Sequence, residues 1–447
     1  MSEIRRAGSV PSTNPWPLVL CLVGVDYFST LAYLPSMAAE AAGPLAPVAA
    51  GGVVLVTFFL ALPVYWYVVG RAPDGRGATG VLEDRIPGWR GKFVVLSLLG
   101  FAAADFVITR SLSLADAAVH LLHNPHGQRL LERLPAGQFI NDHALWSPLD
   151  YVLRRLVDPQ VTITLGLSII SFGIWQLLKR EVTRRTLLVT AAAVSCYLLL
   201  SALVIASAIV YLARHPEIFQ TWLDAIFAAR QPADAATAPS EYAWLWVWLG
   251  AALWSFPQMA LGLSGFEMIL TVVPRVSGDG QKAGTPEGRV RNTRKLMLSA
   301  ASIMAVYLLS AVVVTTLLVP RAELMPGGAA EHRALAYLAH GSPLTDIASG
   351  TTVSPLFGDH FGDLFDLSTA IILCLAGASV TMGLQNHPFQ AVSVLGSMLA
   401  AVFPRVLNVG FPAIPGEPSR STPKHAFSGR NSDSLKGMAC RTCCRTT

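Results

Sequence analysis

Three carboxylates stand inside apolar runs of this chain. Asp26 lies in "GVDYFSTLAY", Asp105 in "LLGFAAADFVITRSLSL" and Glu267 in "MALGLSGFEMILTVV". A carboxylate at the centre of a bilayer costs at least a few kcal/mol, so such groups face a protein interior and take a cation or a proton as partner. Oxygen-rich chemistry gathers around the first of them. Ser29 and Thr30 offer hydroxyls, and Tyr33 follows Asp26 by seven residues, about two helical turns, which puts both on one face. Gly24, Gly262 and Gly265 sit beside the acids and would let a helix open without a Cβ penalty. Carbonyls freed in this way need a partner, and a hard cation held by carbonyl, hydroxyl and carboxylate oxygens supplies one.

Plainer readings compete at several positions. Asp105 could pair with Arg110, or Arg110 with Asp116, as a structural ion pair. Ser29 and Thr30 could bond a preceding carbonyl of their own helix. Tyr27 and Tyr33 could anchor a membrane boundary. Ser379 and Thr381, beside Gly377, fit helix packing.

The elements that must position these groups are membrane helices. Of 447 residues, 53% are apolar and 14% charged, and the mean hydropathy is +0.49; a soluble domain carries about 25% charge. About 20 apolar residues cross a hydrocarbon core. Eight such segments are expected, near 16–38, 44–69, 92–121, 160–178, 187–212, 243–274, 296–319 and 366–385. Lys and Arg concentrate in loops 70–92, 179–185 and 275–295, which predicts a cytoplasmic N-terminus, residues 1–15, in a plasma or inner membrane. The apolar stretch after residue 15 has no small-residue cleavage site, so no secretory signal is expected. The outer segment 122–158 reads as an insert with surface helices, and 213–242 as an Ala/Pro-rich outer loop.

The net charge of +5 is confined to loops and does not point to nucleic acid. No catalytic motif stands in a strand–helix context, so no enzyme activity and no cofactor are expected. Cys21, Cys196 and Cys374 lie in apolar runs as small hydrophobes, Cys440, Cys443 and Cys444 lack a fourth ligand, and no histidine has metal-ligand spacing. No metal site is expected.

The first and sixth segments correspond: each carries glycine and one carboxylate at mid-depth, five spans apart. An odd offset means the second copy enters the membrane from the opposite side, and paired interruptions of this kind point to a transporter site. "GVDYFSTLAYLPS", "ADFVIT" at 104–109 and "GLSGFEMIL" at 262–270 are similar to the first, third and sixth helices of the amino acid–polyamine–cation (APC) superfamily. The nearest resemblance is to its potassium-importing branch, the KUP and KimA-like proteins. That resemblance covers roughly 16–385 and implies a LeuT-like inverted-repeat fold. It implies alternating access with proton-coupled uptake. It also implies a substrate site at Asp26 and Tyr33 with opened backbone near Gly24 and Gly262, and Asp105 and Glu267 as ion ligands or proton carriers.

Two substrates stay open: K⁺, and an amino acid or related amine. Asp26 would repel a substrate carboxylate, which leans toward K⁺; a carboxylate could equally hold an ammonium. In domain terms, 16–212 reads as a complete five-helix repeat and 243–385 as a partial second repeat of three helices. From 386 onward the apolar rhythm fails, and the Pro/Ser/Arg-rich tail to 447 reads as an aberrant or shifted-frame sequence. That leaves a non-transporting or sensing protein as the third expectation.

Overall fold

A straight helix from Trp16 to Arg71, 56 residues, would be about 84 Å long, against roughly 30 Å of hydrocarbon core. The chain folds back within it. In the computed structural model, which describes residues 13–75, 77–86, 88–132, 158–180, 184–228, 250, 265–278, 285–342, 344 and 351–383, this stretch divides at three places. Helix α1 (Trp16–Ser29) tightens into a 3₁₀ turn, Thr30–Ala32, before α2 (Leu34–Ala42). Pro35 lies in the first turn of α2, where its missing N–H costs nothing, but it cannot serve a helix running on from α1. Gly43, with φ of 53°, ends α2 in a conformation that L side chains rarely adopt, and the chain reverses through Gly43–Leu45. Helix α3 (Ala46–Val56) and α4 (Leu62–Arg71) are then joined by a π turn, Thr57–Ala61, whose Thr57 hydroxyl donates to the Val53 carbonyl at 2.8 Å.

The remaining helices are α5 (Gly77–Arg85), α6 (Trp89–His123), α7 (Pro125–Glu132), α8 (Pro159–Arg180), α9 (Arg184–Arg214) and α10 (Pro216–Ala228). They are followed by α11 (Gly265–Val272), α12 (Pro286–Leu318), α13 (Arg321–Leu324), α14 (Ala334–Ala339) and α15 (Asp359–Gly383). The only β-type contact among the described residues is the bridge between Asn14 and Val276. Helix α1 is the axis of the bundle, packed against α9, α11, α12 and α15, while α15 also lies along α6 and α8.

Six helical stretches among the described residues are long and apolar enough to cross a membrane. They account for seven of the eight expected spans, because Trp16–Arg71 supplies two passes. Most of the expected 243–274 span lies outside the described residues; α11 is its visible end. Large apolar side chains face outward along these helices, among them Phe59, Phe93, Phe101, Ile169 and Leu199. Apolar exposure on this scale has no place in water and suits lipid. The chain is an all-α, multi-pass membrane protein.

One end of the bundle gathers its cations. Arg289 donates to the Pro73 carbonyl at 3.4 Å, Arg294 to the Trp66 carbonyl at 3.1 Å, and Arg85 to the Tyr67 hydroxyl at 3.0 Å. Arg294 also covers the Trp66 ring, Arg71 the Tyr67 ring and Lys92 the Trp89 ring, at 5.0–5.4 Å. The Asn14 N–H donates to the Arg275 carbonyl at 2.8 Å, so the start of α1 is at this basic, aromatic end as well. Loops 70–92 and 275–295 thus share one side, as their charge predicts.

Gly262, most of the 122–158 insert, residues 229–242 of the expected 213–242 loop, and the tail from 386 with its three cysteines lie outside the described residues; the first half of that loop is the helix α10. The three membrane cysteines are unpaired.

Candidate functional site

The last two turns of α1, Leu22 to Ser29, are buried on every side, with Gly24, Asp26, Tyr27 and Ser29 among them. The helix stays regular through Gly24, so the expected opening there is displaced by more than a turn, to Thr30–Tyr33. Gly24 has a different reason: a Cβ in its place would come within 2.6 Å of the Phe28 ring. At the interruption, the Ser29 hydroxyl donates to the Asp26 carbonyl and the Thr30 hydroxyl to the Tyr27 carbonyl, both at 2.8 Å. These bonds satisfy carbonyls where the turn tightens, and they leave the hydroxyl lone pairs as acceptors.

The Asp26 side chain is fully buried, and neither carboxylate oxygen has a hydrogen-bond partner among the described residues. Tyr33 is equally buried, and its hydroxyl has no hydrogen-bond partner among the described residues. Asp26, Asp105 and Asp116 all lie within electrostatic reach of that phenol. Asp105 is also within reach of Asp26 and of Glu267. Eleven residues, just over three whole turns, separate Asp105 from Asp116, so both project from one face of α6. Glu267, in the first turn of α11, interacts with the Tyr65 hydroxyl of α4. Asp105 is thus within electrostatic reach of both other acids singled out in the sequence, and Tyr33 within reach of Asp26 and Asp105.

Packing between α1 and α11 places this group. The Tyr27 ring meets Phe266 edge-on at 5.7 Å, and Phe266 stacks on Tyr65 at 5.3 Å. Gly265 lies under Tyr27, where a Cβ would overlap the ring. Gly265→Ala should therefore lower stability by about 1–3 kcal/mol, as overpacking does. Thermal unfolding in detergent checks this, and an unchanged midpoint would remove the contact from the account.

The expected ion pairs of Arg110 are absent among the described residues. Its guanidinium is buried, donates to the Ser168 carbonyl of α8 at 3.4 Å, and leaves Nε and the other terminal nitrogen without a hydrogen-bond partner. Five residues from Asp105, Arg110 is turned about 140° around the helix from the acids. Ser379 and Thr381 bond the carbonyls of Ala376 and Gly377 inside α15, as helix-packing residues do.

A second cluster was not legible in the sequence. Asp366 of α15, fully buried, accepts from His120 Nδ1 of α6 at 2.6 Å, from His340 Nε2 at 2.7 Å and from an Arg333 terminal nitrogen at 2.7 Å. An ionised carboxylate only accepts, so both imidazoles present N–H to it. Burial pulls the Arg333 guanidinium below the usual arginine range, while the Asp366 charge pulls it back up. Next to Arg333 in the chain, His332 Nδ1 lies 3.3 Å from Asp116 Oδ1 without forming a hydrogen bond. Among the described residues no group of His, Cys, Asp and Glu could hold a metal ion. The sequence signals were Asp366 at the lip of an apolar run and His120 one turn after Asp116; the pairings themselves span up to 246 residues.

No family model matches the chain, and no curated protein matches it either.

Proposed function

We propose that this protein is a proton-coupled secondary transporter of a small cation, with K⁺ as substrate, and not an enzyme. The observation that carries the reading is Asp26: a fully buried carboxylate at a helix interruption, without a hydrogen-bond partner among the described residues. A buried acid of that kind is retained for what it binds. Asp105 and Glu267, in electrostatic reach, add the negative potential that a cation needs, and hydroxyl and carbonyl oxygens at Ser29, Thr30 and Tyr33 suit a hard ion. An amino acid would bring a carboxylate to the same place. Among the described residues no cationic side chain turns toward Asp26, and Arg110 faces away.

The fold proposed is the LeuT-like inverted repeat, with α1 and α11 as equivalent members of the two halves. Their mutual packing at the bundle centre supports this. The basic, aromatic end is placed in the cytoplasm by the positive-inside rule, with the N-terminus there. The test is K⁺ uptake by the purified protein in vesicles under an inward proton gradient. Uptake that disappears in Asp26→Asn supports the reading. Labelled amino acid uptake without K⁺ uptake transfers the site to an amine, and K⁺-dependent thermal stabilisation without any uptake would identify a sensor.

A further inference from the structure

Arg110 is a cation that the fold buries and only partly satisfies. It is fully buried, and along α6 it stands about 20 Å from the helix end at His123. An arginine stem does not snorkel that far to water. The guanidinium stays charged inside a protein, and a buried charge is costly unless it is paired. One terminal nitrogen donates to the Ser168 carbonyl at 3.4 Å. Nε and the other terminal nitrogen have no hydrogen-bond partner, and no carboxylate pairs with Arg110 among the described residues.

A second unsatisfied group lies beside it. A helical carbonyl points toward the C-terminus of its helix, so a guanidinium on the Ser168 carbonyl is level with Ser171, one turn along α8. Ser171 is also fully buried, and its hydroxyl has no hydrogen-bond partner among the described residues. Helix α15 closes the same junction. A Cβ on its Gly377 would stand 3.0 Å from Ser171 Oγ and 3.0 Å from the Leu114 side chain, one turn from Arg110 on α6. The Ser168 hydroxyl is already given to the Thr164 carbonyl at 2.8 Å. The Ser171 oxygen could accept from an N–H of Arg110, but a neutral hydroxyl leaves the positive charge unbalanced.

We infer that the junction of α6, α8 and α15 binds one small monovalent anion, chloride, held by the guanidinium of Arg110 and the hydroxyl of Ser171. Both groups are donors toward an anion, and bonds from a guanidinium to an anion are charge-assisted. One negative charge balances one guanidinium. The full burial of both side chains suits a small spherical ion better than a polyatomic one. The ion would tie α6 to α8, which already pack on each other and on α15. This site is separate from the proposed cation site, because Arg110 is turned away from the acids around the helix.

Thermal unfolding of the full-length protein in detergent tests the site. N-methylglucamine chloride is replaced stepwise by the gluconate salt at constant ionic strength. No K⁺ is present, so the result is independent of the transport reading. The wild-type midpoint should rise with chloride by mass action on the folded state. Arg110→Met removes the charge and puts an apolar chain of similar length in its place, a change that buried sites tolerate. Its midpoint should not respond to chloride. Ser171→Ala should need about tenfold more chloride for the same rise, the loss expected for one hydrogen bond to a charged group. A wild-type midpoint indifferent to chloride overturns the site, and so does an undiminished chloride response in Arg110→Met. If Arg110→Met yields no folded protein, Ser171→Ala decides, and a chloride dependence equal to that of wild type overturns the site.

Discussion

Asp366→Ala should be the most destabilising substitution at the His332 end of the bundle, at about 3–5 kcal/mol, the cost of breaking a buried ion pair by removing one partner. The carboxylate joins α15 to α6 through His120, to the loop through Arg333 and to the residue capping α14 through His340. Its loss strands an arginine and two imidazole N–H groups in places water reaches poorly. Asp366→Asn should be nearly as damaging: an amide keeps one acceptor oxygen but presents N–H to a donor that needs an acceptor. Thermal unfolding of the detergent-solubilised protein reads the effect, with Ser379→Ala as a comparison, because Ser379 bonds only within its own helix. A midpoint for Asp366→Ala no lower than that of Ser379→Ala would mean that the four-residue cluster does not hold the loop.

Asp26→Asn should do the opposite to stability while abolishing transport. The wild-type carboxyl group is buried with both oxygens unpartnered among the described residues, and a buried unpaired charge costs far more than a buried neutral amide. The amide has nearly the same shape and no charge, so the empty protein should unfold at a higher temperature than wild type. Uptake should vanish, because the negative charge at the helix interruption is gone. Added K⁺ should raise the wild-type midpoint by mass action and leave the variant unmoved. A variant that is both less stable and inactive would make Asp26 a structural residue and remove the observation on which the proposed function stands.

How much of this was readable beforehand depends on the range of the signal. Asp26, Asp105 and Glu267 stood out because a carboxylate among apolar neighbours is anomalous within a window of a few residues. Helix existence was legible for the same reason. Glycine does not mark the position of the interruption, although the sequence suggests it at Gly24. Gly24 serves the Phe28 ring one turn on, whereas the break follows from Pro35, which cannot donate to a helix running on from α1. Arg110 looked like a partner for Asp105 in the linear sequence, but five residues of helix turn the two apart. The Asp366 cluster is invisible in the sequence: its members lie in three separate segments, α6, the two ends of α14 and α15, and only the antiparallel contact of α6 and α15 brings them together.

The π turn at Thr57–Ala61 has a consequence for how the second pass reads as a sequence. A π turn adds one residue to a helix without adding a turn, which advances everything beyond it by ~100° of phase. The second pass is therefore two amphipathic patterns written in different frames. One is in phase with α2 and α12; the other serves α12 and α5. A single periodicity fitted across 46–71 would average the two and place neither face correctly. Phe59 and Leu60, both largely exposed, mark the seam where one frame hands over to the other. Deleting one residue there would keep the composition, the length class and the hydropathy of the span, yet would rotate half of its side chains off their neighbours.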